Sequence, residues 1–436
     1  AEWSLDRLKD VAVINADSLV VDTDPDYEFD YLEISNVDYY GVIDRGAIEH
    51  LRYEDAPSRA RRRVPNNSII VSSVRPNLQA VASFDEVGLH LICSTGFNVI
   101  EPDGHRLFPR FAYYHLISEA SRQYFEATAK GVGYPAVDDK DFDSAGMPLP
   151  PLTEQRRIVA YLDASCTAID AAVTAKRRQM ETLEALSRDA IQRALIPGPE
   201  QGLDLRDTGN VWLAQIPASW ALVSLKRVAV VHTGLTLGKE YEGPLVERPY
   251  LRVANVQDGH LDLSDVATIA VPIDVARRVE LRVNDVLMTE GGDLDKLGRG
   301  SLWNGEIPDC LHQNHIFAVR CFKHKLLPKF LAYLTASQHG RDYFEATGKR
   351  TTNLASTSAT KVGSFPLPLP SIEEQARIVS DLEERLLQLR AIICNIENQI
   401  TALLAYRKSL IHECVIGQRR IGKADITAAQ EAASLS

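Results

Sequence analysis

Residues 148–163 read PLPPLTEQRRIVAYLD, and residues 368–383 read PLPSIEEQARIVSDLE. Subtracting 220 from the second numbering places Gln375 on Gln155 and Arg377 on Arg157. Similarity at such a long fixed spacing is typical of a chain that carries one structural unit twice. The two stretches therefore predict an internal duplication, and each one opens a long helical pattern.

Apolar residues after each stretch recur about every 3.5 residues, the period of helices that pack side by side. Such a stripe must be buried, because a helix in water gains little stability from its backbone alone. We therefore expect the two helices to pack on each other over roughly 66 Å, at about 1.5 Å per residue. The connection through a globular domain at the far end favours an antiparallel pair, although the sequence alone allows a parallel one. Arg407 interrupts the second stripe and Lys176 the first. The second stripe consists of Leu382, Leu386, Leu389, Ile393, Ile396, Ile400, Leu403, Arg407, Leu410 and Cys414, and the first of Leu162, Cys166, Ile169, Val173, Lys176, Met180, Leu183, Ser187, Ala190 and Ala194.

Both helical patterns have recognisable ends. Ser371 and Glu374 have the spacing of a capping box, in which each side chain accepts a hydrogen bond from an otherwise unpaired backbone amide. Gly198 and Gly417 follow the two patterns and predict left-handed C-terminal caps.

The duplication extends upstream of the helices. WSLDRLKDVA at 3–12 resembles WALVSLKRVA at 220–229, YLEISNV at 31–37 resembles YLRVANV at 250–256, and YFEAT occurs at 124–128 and again at 343–347. Short β-like runs alternate with turn residues in these regions, and one amphipathic helix is predicted near 109–130 and another near 328–349.

These patterns predict an α+β chain in which two similar mixed globular domains are joined by two long antiparallel coiled-coil helices in a pseudo-two-fold repeat. The predicted segments are a first domain at 1–147, a first long helix at 148–198, a linker and second domain at 199–365, a second long helix at 366–417, and a loose tail at 418–436.

The composition is that of a soluble globular protein, with 45% hydrophobic and 25% charged residues. We find no apolar run of membrane-spanning length and no N-terminal export signal, and the six cysteines form no CxxC pair, so we expect a cytoplasmic protein with reduced thiols. The net charge of −11 argues against bulk attraction to nucleic acid but leaves room for a local basic face.

One candidate basic face lies between residues 56 and 84, which contain five arginines and no acidic residue. Arginine neutralises phosphates and pairs with guanine edges, although a solvated basic loop would have the same composition. A turn after the predicted strand at 68–74 would present the last arginine together with an asparagine. The candidate residues are Arg59, Arg61, Arg62, Arg63, Arg75 and Asn77.

Four further segments carry side chains that suit DNA contact. The sequence GKRTTN closes the second YFEAT helix, KGVGY closes the first, an amide pair precedes a predicted strand, and two cations lie in a glycine-rich loop. Such side chains position phosphates or pair with adenine, and ordinary helix caps and turns are the alternative interpretation. The candidates are Lys349, Arg350, Thr351, Thr352 and Asn353, then Lys130 and Tyr134, then Gln313 and Asn314, and then Lys296 and Arg299.

The polar residues at the two helix starts are candidates for docking a partner, with simple helix capping as the alternative. Because the motif occurs twice, a partner that binds it would bind twice. The candidate docking residues are Glu154, Gln155 and Arg157 in the first copy and Glu374, Gln375 and Arg377 in the second.

Catalytic motifs are not found. The chain has no Walker sequence, no NPPY or DPPY methyltransferase motif and no GxGxxG. Asp138-Asp139-Lys140 is interpreted as surface charge, and the spacing of Cys310, His312, His315 and Cys321 fits no standard zinc site. We therefore expect a non-catalytic protein with no metal or cofactor of its own.

The doubled PLP-x-x-x-EQ helix starts, the long helices, the ending YRKSLIHECVIG at 406–417 and the paired NV turns resemble the specificity subunit of type I restriction-modification systems. The resemblance covers nearly the whole chain. It implies a DNA reader with two target-recognition domains, each reading one half of a bipartite asymmetric site in double-stranded DNA, while the paired helices set the spacing.

The resemblance also implies partners. Two methyltransferase subunits would dock on the helices, a restriction subunit would join through them, and S-adenosylmethionine, ATP and Mg would be bound only by those partners. A specificity subunit whose partner combines methylation and cleavage in one chain is an alternative. A coiled-coil scaffold for other proteins and a metal-dependent hydrolase are alternatives from other classes.

Overall fold

The computed structural model describes residues 3–38, 41–76, 80–87, 90–131, 133, 135–197, 202–292, 297–298, 300–350 and 355–434, with the backbone alone at Arg350. The chain divides into two compact units, Ala1–Arg178 with Ile396–Ser436, and Gln179–Asn395. Each unit therefore contains one domain and half of each long helix, so the unit boundaries fall within the helices rather than at their ends.

The first unit contains two four-stranded sheets and a two-stranded ribbon among its described residues, in the orders β2-β9-β6-β7, β4-β3-β8-β5 and β1-β10. Its elements are β1 (Ser4–Arg7), β2 (Ala12–Ile14), β3 (Glu28–Leu32), β4 (Glu49–Arg52), β5 (Ala60–Arg63), β6 (Ser68–Ser72), β7 (Val81–Phe84), β8 (Leu91–Ser94), β9 (Phe97–Pro102), α1 (Pro109–Leu116), α2 (Glu119–Thr128), α3 (Asp139–Asp143), β10 (Gly146–Leu149) and α4 (Leu152–Leu195).

The second unit repeats this arrangement. Its sheets have the orders β14-β21-β17-β19, β16-β15-β20, β13-β24, β11-β12 and β18-β23-β22. Its elements are β11 (Leu205–Asn210), β12 (Leu213–Pro217), β13 (Ala221–Ser224), β14 (Ala229–Thr233), β15 (Val246–Leu251), β16 (Ala267–Val271), α5 (Ile273–Val279), β17 (Val286–Thr289), β18 (Gly291–Gly292), β19 (Gly300–Leu302), β20 (Leu311–His312), β21 (Ile316–Cys321), α6 (Pro328–Ala336), α7 (Gln338–Thr347), β22 (Lys349–Arg350), β23 (Ala355–Ser356), α8 (Ala359–Gly363), β24 (Pro366–Leu369) and α9 (Ile372–Val415).

The central sheet of each domain is buried on both faces. In β6, Ile69 and Val71 face the helices, while Ile70 packs with Leu32 and Cys93 of the neighbouring sheet. Side chains alternate across a strand, so a strand covered on both faces needs a continuous apolar run, and SIIVS is such a run. The second domain has the same three layers, with β17 at the equivalent place.

The single amphipathic helix predicted in each domain is two helices. Ser118 separates α1 from α2, and Ser337 separates α6 from α7, both with extended backbone. The Ser337 hydroxyl caps α7 by accepting a hydrogen bond from the Gly340 amide. A capping serine starts a new helix because it satisfies an amide that the first turn leaves unpaired.

The two long helices run antiparallel within each unit, as predicted. In the first unit Arg407 Nε lies 3.1 Å from an oxygen of Asp170, and Lys176 donates to Gln399. These two polar interruptions of the apolar stripe therefore find partners on the facing helix. In the second unit Leu195 shares a hydrophobic cluster with Val379. Every predicted stripe position is buried or half-buried.

The tail is not loose, contrary to the sequence-based expectation. It forms α10 (Lys423–Ser434), and Ile421 and Ala429 are buried in the core of the first unit. Gly417 ends α9 with φ +80°, which is the left-handed cap that was predicted, whereas Gly198 lies outside the described residues.

Within α4, an 18-residue stretch has a mean hydropathy of 1.3 and meets the length and composition of a membrane span. This finding departs from the sequence-based interpretation, which found no such run. Leu162, Cys166 and Ile169 of the same helix are buried in the core of the first unit.

Candidate nucleic-acid interface

Three loops meet at one edge of the central sheet in the first unit. The end of β6 lies beside the start of β9, and the Ser73 amide donates to the Gly96 carbonyl at 2.9 Å. The loop after α2 joins them, because the Val137 amide donates to the Ser73 carbonyl at 2.9 Å and the Arg75 amide to the Pro135 carbonyl at 2.7 Å. We call residues 73–76, 94–96, 130–131 and 135–137 the first loop edge.

The same three loops meet in the second unit. The Glu290 amide donates to the His315 carbonyl at 2.9 Å, and the Thr357 amide to the Glu290 carbonyl at 2.7 Å. β18 then pairs with β23, and β23 with β22, which carries Lys349. We call residues 290–292, 313–315, 348–350 and 355–357 the second loop edge.

The two loop edges bring together predicted residues that are 55 residues apart in the first unit and 35 or 36 residues apart in the second. Arg75 and Lys130 share the first edge, and Gln313, Asn314 and Lys349 share the second. Other predicted residues fall outside the described part of the chain, namely Asn77, Tyr134, Lys296, Arg299, Thr351, Thr352 and Asn353, together with the Arg350 side chain.

Two described cations lie on the first loop edge, Arg75 and Lys130. Arg75 is exposed and adopts φ +52°, a left-handed conformation that is uncommon for a residue with a side chain. Lys130 is exposed but forms ion pairs with Asp138 at 2.5 Å and Asp141 at 3.1 Å, and hydrogen bonding to Asp138 raises its pKa. Lys130 must therefore exchange these carboxylates for any phosphate it binds.

Hydrogen bonds hold the backbones of Gln313 and Asn314 in place. Their amides donate to the Leu251 and Leu235 carbonyls at 3.0 and 2.9 Å. A Cβ at Gly234 would lie 2.4 Å from the Gln313 carbonyl oxygen, so only glycine fits this approach. Among the described residues, neither side-chain amide has a hydrogen-bond partner. Such amides are suited to pair with adenine in the major groove.

The arginines of β5 lie on a different sheet and are largely engaged. Arg62 donates to Asn98 Oδ1 at 2.8 Å, and burial lowers its pKa. Arg63 is 3.2 Å from Asp17, Arg59 pairs with Glu33, and Arg61 lies 4.8 Å above the Tyr53 ring. Arg59, which precedes β5, lies near the first loop edge, since its carbonyl accepts from the amide of residue 95 at 2.8 Å. A DNA role for these side chains stays a prediction.

An acidic segment, which the sequence analysis did not single out, surrounds β5. Residues 17–55 contain twelve acidic residues and two arginines, so they account for ten of the eleven net negative charges of the chain. Asp17 and Glu33 belong to this segment and pair with arginines of β5 and its flank. A surface of this sign repels phosphates, so it disfavours β5 as the main phosphate contact.

The glutamines of the two helix starts are buried, which corrects their prediction as docking residues. Gln155 accepts from the Phe108 amide at 2.7 Å and donates to the Arg106 and Pro150 carbonyls at 2.7 and 2.9 Å. Both glutamines are 0% exposed, so neither is accessible to a partner. Each fastens its long helix to its own domain. Gln375 accepts from Leu327 at 2.9 Å and donates to Lys325 and Pro370 at 3.0 Å each.

The charged residues of these starts lie at the surface. Arg157 and Arg377 are exposed at equivalent positions, and no hydrogen bond or ion pair joins either to a described residue. Glu154 pairs with Arg420 at 2.7 Å, and the Glu374 amide donates to the Ser371 hydroxyl at 3.2 Å, as expected for a cap. The two arginines therefore remain the accessible part of the predicted docking motif.

The residues considered for a metal site have other roles. His312 is buried and its Nδ1 lies 2.9 Å from the Val279 carbonyl, whereas the exposed His315 lies 2.6 Å from Glu290. Burial raises the pKa of Cys310 and Cys321 to about 12, so both thiols stay protonated at neutral pH. In the described part of the chain, no three His, Cys, Asp or Glu side chains are grouped to hold a metal ion.

The fold defines a class of protein: an internally duplicated α+β chain in which each mixed domain precedes a long helix and carries polar side chains on three joined loops. The chain is similar to the specificity subunits of type I restriction-modification systems. The family model described as type I restriction modification DNA specificity domain matches residues 1–180.

Curated relatives agree with this match. The chain is 24% identical over 204 residues to the putative type I restriction enzyme MjaX specificity subunit of Methanocaldococcus jannaschii, a match that covers 46% of each chain. It is 24% identical over 351 residues to the type I restriction enzyme EcoKI specificity subunit of Escherichia coli K12, covering 79% of this chain and 72% of the relative. The first match thus spans about half of that relative's length.

Solved structures show the same fold. A chain from a type I R-M system superposes with a TM-score of 0.73 and 24% identity, covering 95% of this chain and 97% of the other. The HsdS subunit of Thermoanaerobacter tengcongensis superposes with a TM-score of 0.54 and 23% identity, covering 96% and 97%.

Proposed function

We propose that this chain is the non-catalytic specificity subunit of a type I restriction-modification complex. It recognises a bipartite asymmetric site in double-stranded DNA, with each domain reading one half. It also docks two methyltransferase subunits, and a restriction subunit joins through them. S-adenosylmethionine, ATP and Mg bind to those partners, and the complex acts in the cytoplasm.

The observation that carries this proposal is the repetition of the loop edge. Two domains of different sequence place the same three loops together, and both sets carry cations or amides. Cations position a protein on the phosphates, while amides and arginines read base edges. Because the side chains differ between the two edges, each domain is expected to select a different half-site.

Exchanging residues 1–147 for a homologous domain tests the division of labour. The new complex should methylate a site in which one half has changed and the other has not, as read by methylome sequencing. A change in both halves, or in neither, would contradict the proposal.

The Gln313→Ala, Asn314→Ala double variant tests the second loop edge directly. Since a bidentate amide–adenine contact provides about 1–3 kcal/mol of discrimination, the variant should relax one half-site position and leave the other half unchanged. Gln215→Ala is the matched control, because that exposed amide lies on β12 and bonds Asp207 rather than a loop edge. Equal selectivity in the double variant and the control would rule out readout by this amide pair.

The paired helices are proposed to set the spacing between the half-sites. Deleting seven residues from each helix at facing positions should shorten the unspecified spacer of the methylated site. An unchanged spacer would contradict this role.

The docking role rests on Arg157 and Arg377, which are exposed and equivalent in the two copies. Arg157→Glu together with Arg377→Glu should lower methyltransferase binding while leaving the melting temperature unchanged. Each single variant should lose one of two bound copies in a sedimentation experiment. Full binding of both copies to the double variant would exclude the two arginines as contacts.

A further inference from the structure

A cleft of about 480 Å³ opens within the second unit, where α6 faces the unit's halves of α4 and α9. Its apolar lining includes Ile191, Leu302 and Leu386, and its polar lining includes Arg188 and Arg390. Pockets for small organic ligands have volumes of about 300–1,000 Å³ and combine apolar walls with a few polar groups. The cleft falls within this range.

Small residues keep this cleft open, as the internal repeat shows. Ala332 and Ser187 line it, and the equivalent positions of the first unit carry Tyr113 and Arg407. Tyr113 is buried there, and Arg407 reaches Asp170 at 3.1 Å. The large side chains that fill this junction between the domain and the long helices in the first unit are therefore missing from the second.

The repeat also shows that a cation of the cleft has lost its partner. Arg188 is equivalent to Lys408, which forms an ion pair with Glu119 at 3.0 Å in the first unit. Gln338 takes the place of that glutamate in the second unit. Considering only the residues that the structure describes, Arg188 has no hydrogen bond or ion pair.

Arg390 adds a second uncompensated charge. It occupies the position equivalent to Asp170 of the first unit, so the acid that pairs with Arg407 there is replaced by a base. Its charge acts on the Tyr333 hydroxyl, which lines the same cleft. No hydrogen bond or ion pair joins it to any described residue.

The other charges of the cleft cancel. Lys329 pairs with Glu383 at 2.7 Å, and Arg341 pairs with Asp258 at 3.0 Å. The lining therefore carries two positive charges in excess, both from arginines that face a partly apolar recess. Guanidinium groups bind carboxylates and phosphates through paired hydrogen bonds.

We propose that this cleft is a binding site for a small molecule that carries a phosphate or carboxylate group on an apolar body. The oxyanion is held by Arg188 and Arg390, and the body lies against Ile191, Leu386 and Ala332. The site belongs to the second unit only, so the chain binds one such ligand. This activity is separate from DNA recognition and is measured without DNA.

Ligand-detected NMR titration of the full chain tests the site with phenyl phosphate, benzoate and phenol. Phenyl phosphate or benzoate should bind saturably, and phenol, which lacks the oxyanion, should not. The stronger of the two anions identifies phosphate or carboxylate as the preferred group. The Arg188→Gln, Arg390→Gln double variant should weaken binding at least about tenfold, because charge-assisted hydrogen bonds are lost.

Two further variants complete the test. Arg277→Gln removes an exposed arginine of α5 outside the cleft and should leave binding unchanged, while Ala332→Tyr restores the first unit's side chain and should abolish it. The proposal is overturned if neither anion binds better than phenol, or if the double arginine variant binds as the wild type does. Binding of an acidic peptide without binding of either small anion would likewise overturn it, in favour of a protein-docking surface.

Discussion

Gln155→Met should loosen the joint between the first domain and its long helix. The substitution keeps the length of the side chain but removes three hydrogen bonds, to the Phe108 amide and to the Arg106 and Pro150 carbonyls. Leaving a partly buried amide unpaired costs about 1–3 kcal/mol, and the two carbonyls add to this, so we expect about 3 kcal/mol in total. For a unit of this size, that loss lowers the melting temperature by roughly 6–12 °C.

Urea denaturation gives the change in the free energy of unfolding, and hydrogen exchange identifies the unit that opens. Protection should fall around Phe108 in the first unit. Gln375→Met should have the same effect around Leu327 in the second, because Gln375 makes the same three bonds. Arg157→Gln, an exposed neighbour, is the control and should change the free energy of unfolding by less than about 0.5 kcal/mol. A loss below about 1 kcal/mol for Gln155→Met would refute the argument that these bonds fasten the helix.

Three further predictions concern buried polar groups. Burial lowers the pKa of His115 from 6.5 to about 4, so the folded state should lose up to about 3 kcal/mol of stability as the pH falls from 6.5 to 4. His115→Gln should flatten this pH dependence of the urea midpoint, and an unchanged pH profile would contradict the assignment. Arg320→Met leaves the buried Asp285 carboxylate without its bidentate partner at 2.7 and 2.8 Å. The free energy of unfolding from urea denaturation should fall by about 3–5 kcal/mol, whereas an unchanged value would show that the pair is dispensable. Tyr343→Phe removes the 2.9 Å hydrogen bond to the Lys361 carbonyl and should cost about 1 kcal/mol by the same measurement, with no loss expected if water replaces the hydroxyl.

The charge distribution shows where reasoning from sequence was limited. The stretch from 56 to 84 has five arginines and no acid, and this local count favoured a phosphate-binding face. The fold places Asp17 and Glu33 beside those arginines. Ion pairs between residues far apart in the chain depend on strand order, which a local count does not contain.

For the loop edges, the sequence identified candidate residues but not their arrangement. Lys130, Lys349, Gln313 and Asn314 are predictable as candidates because their residue types suit phosphate and base contacts. Their grouping into two equivalent edges was not predictable, because it depends on backbone hydrogen bonds such as the one from the Thr357 amide to the Glu290 carbonyl.

The sequence by itself determined the duplication and the two long helices, and it favoured antiparallel over parallel pairing. These features follow from signals that are periodic or repeated along the chain: the apolar stripe, the prolines before each helix and the recurrence of one motif after 220 residues. Only the tertiary structure decided that Gln155 and Gln375 are internal fasteners, that Arg59 and Arg63 are paired with acids, and that one junction is filled while its repeat is open. Each of these depends on which side chains meet across elements distant in sequence, and that is set by packing and register rather than by any local pattern.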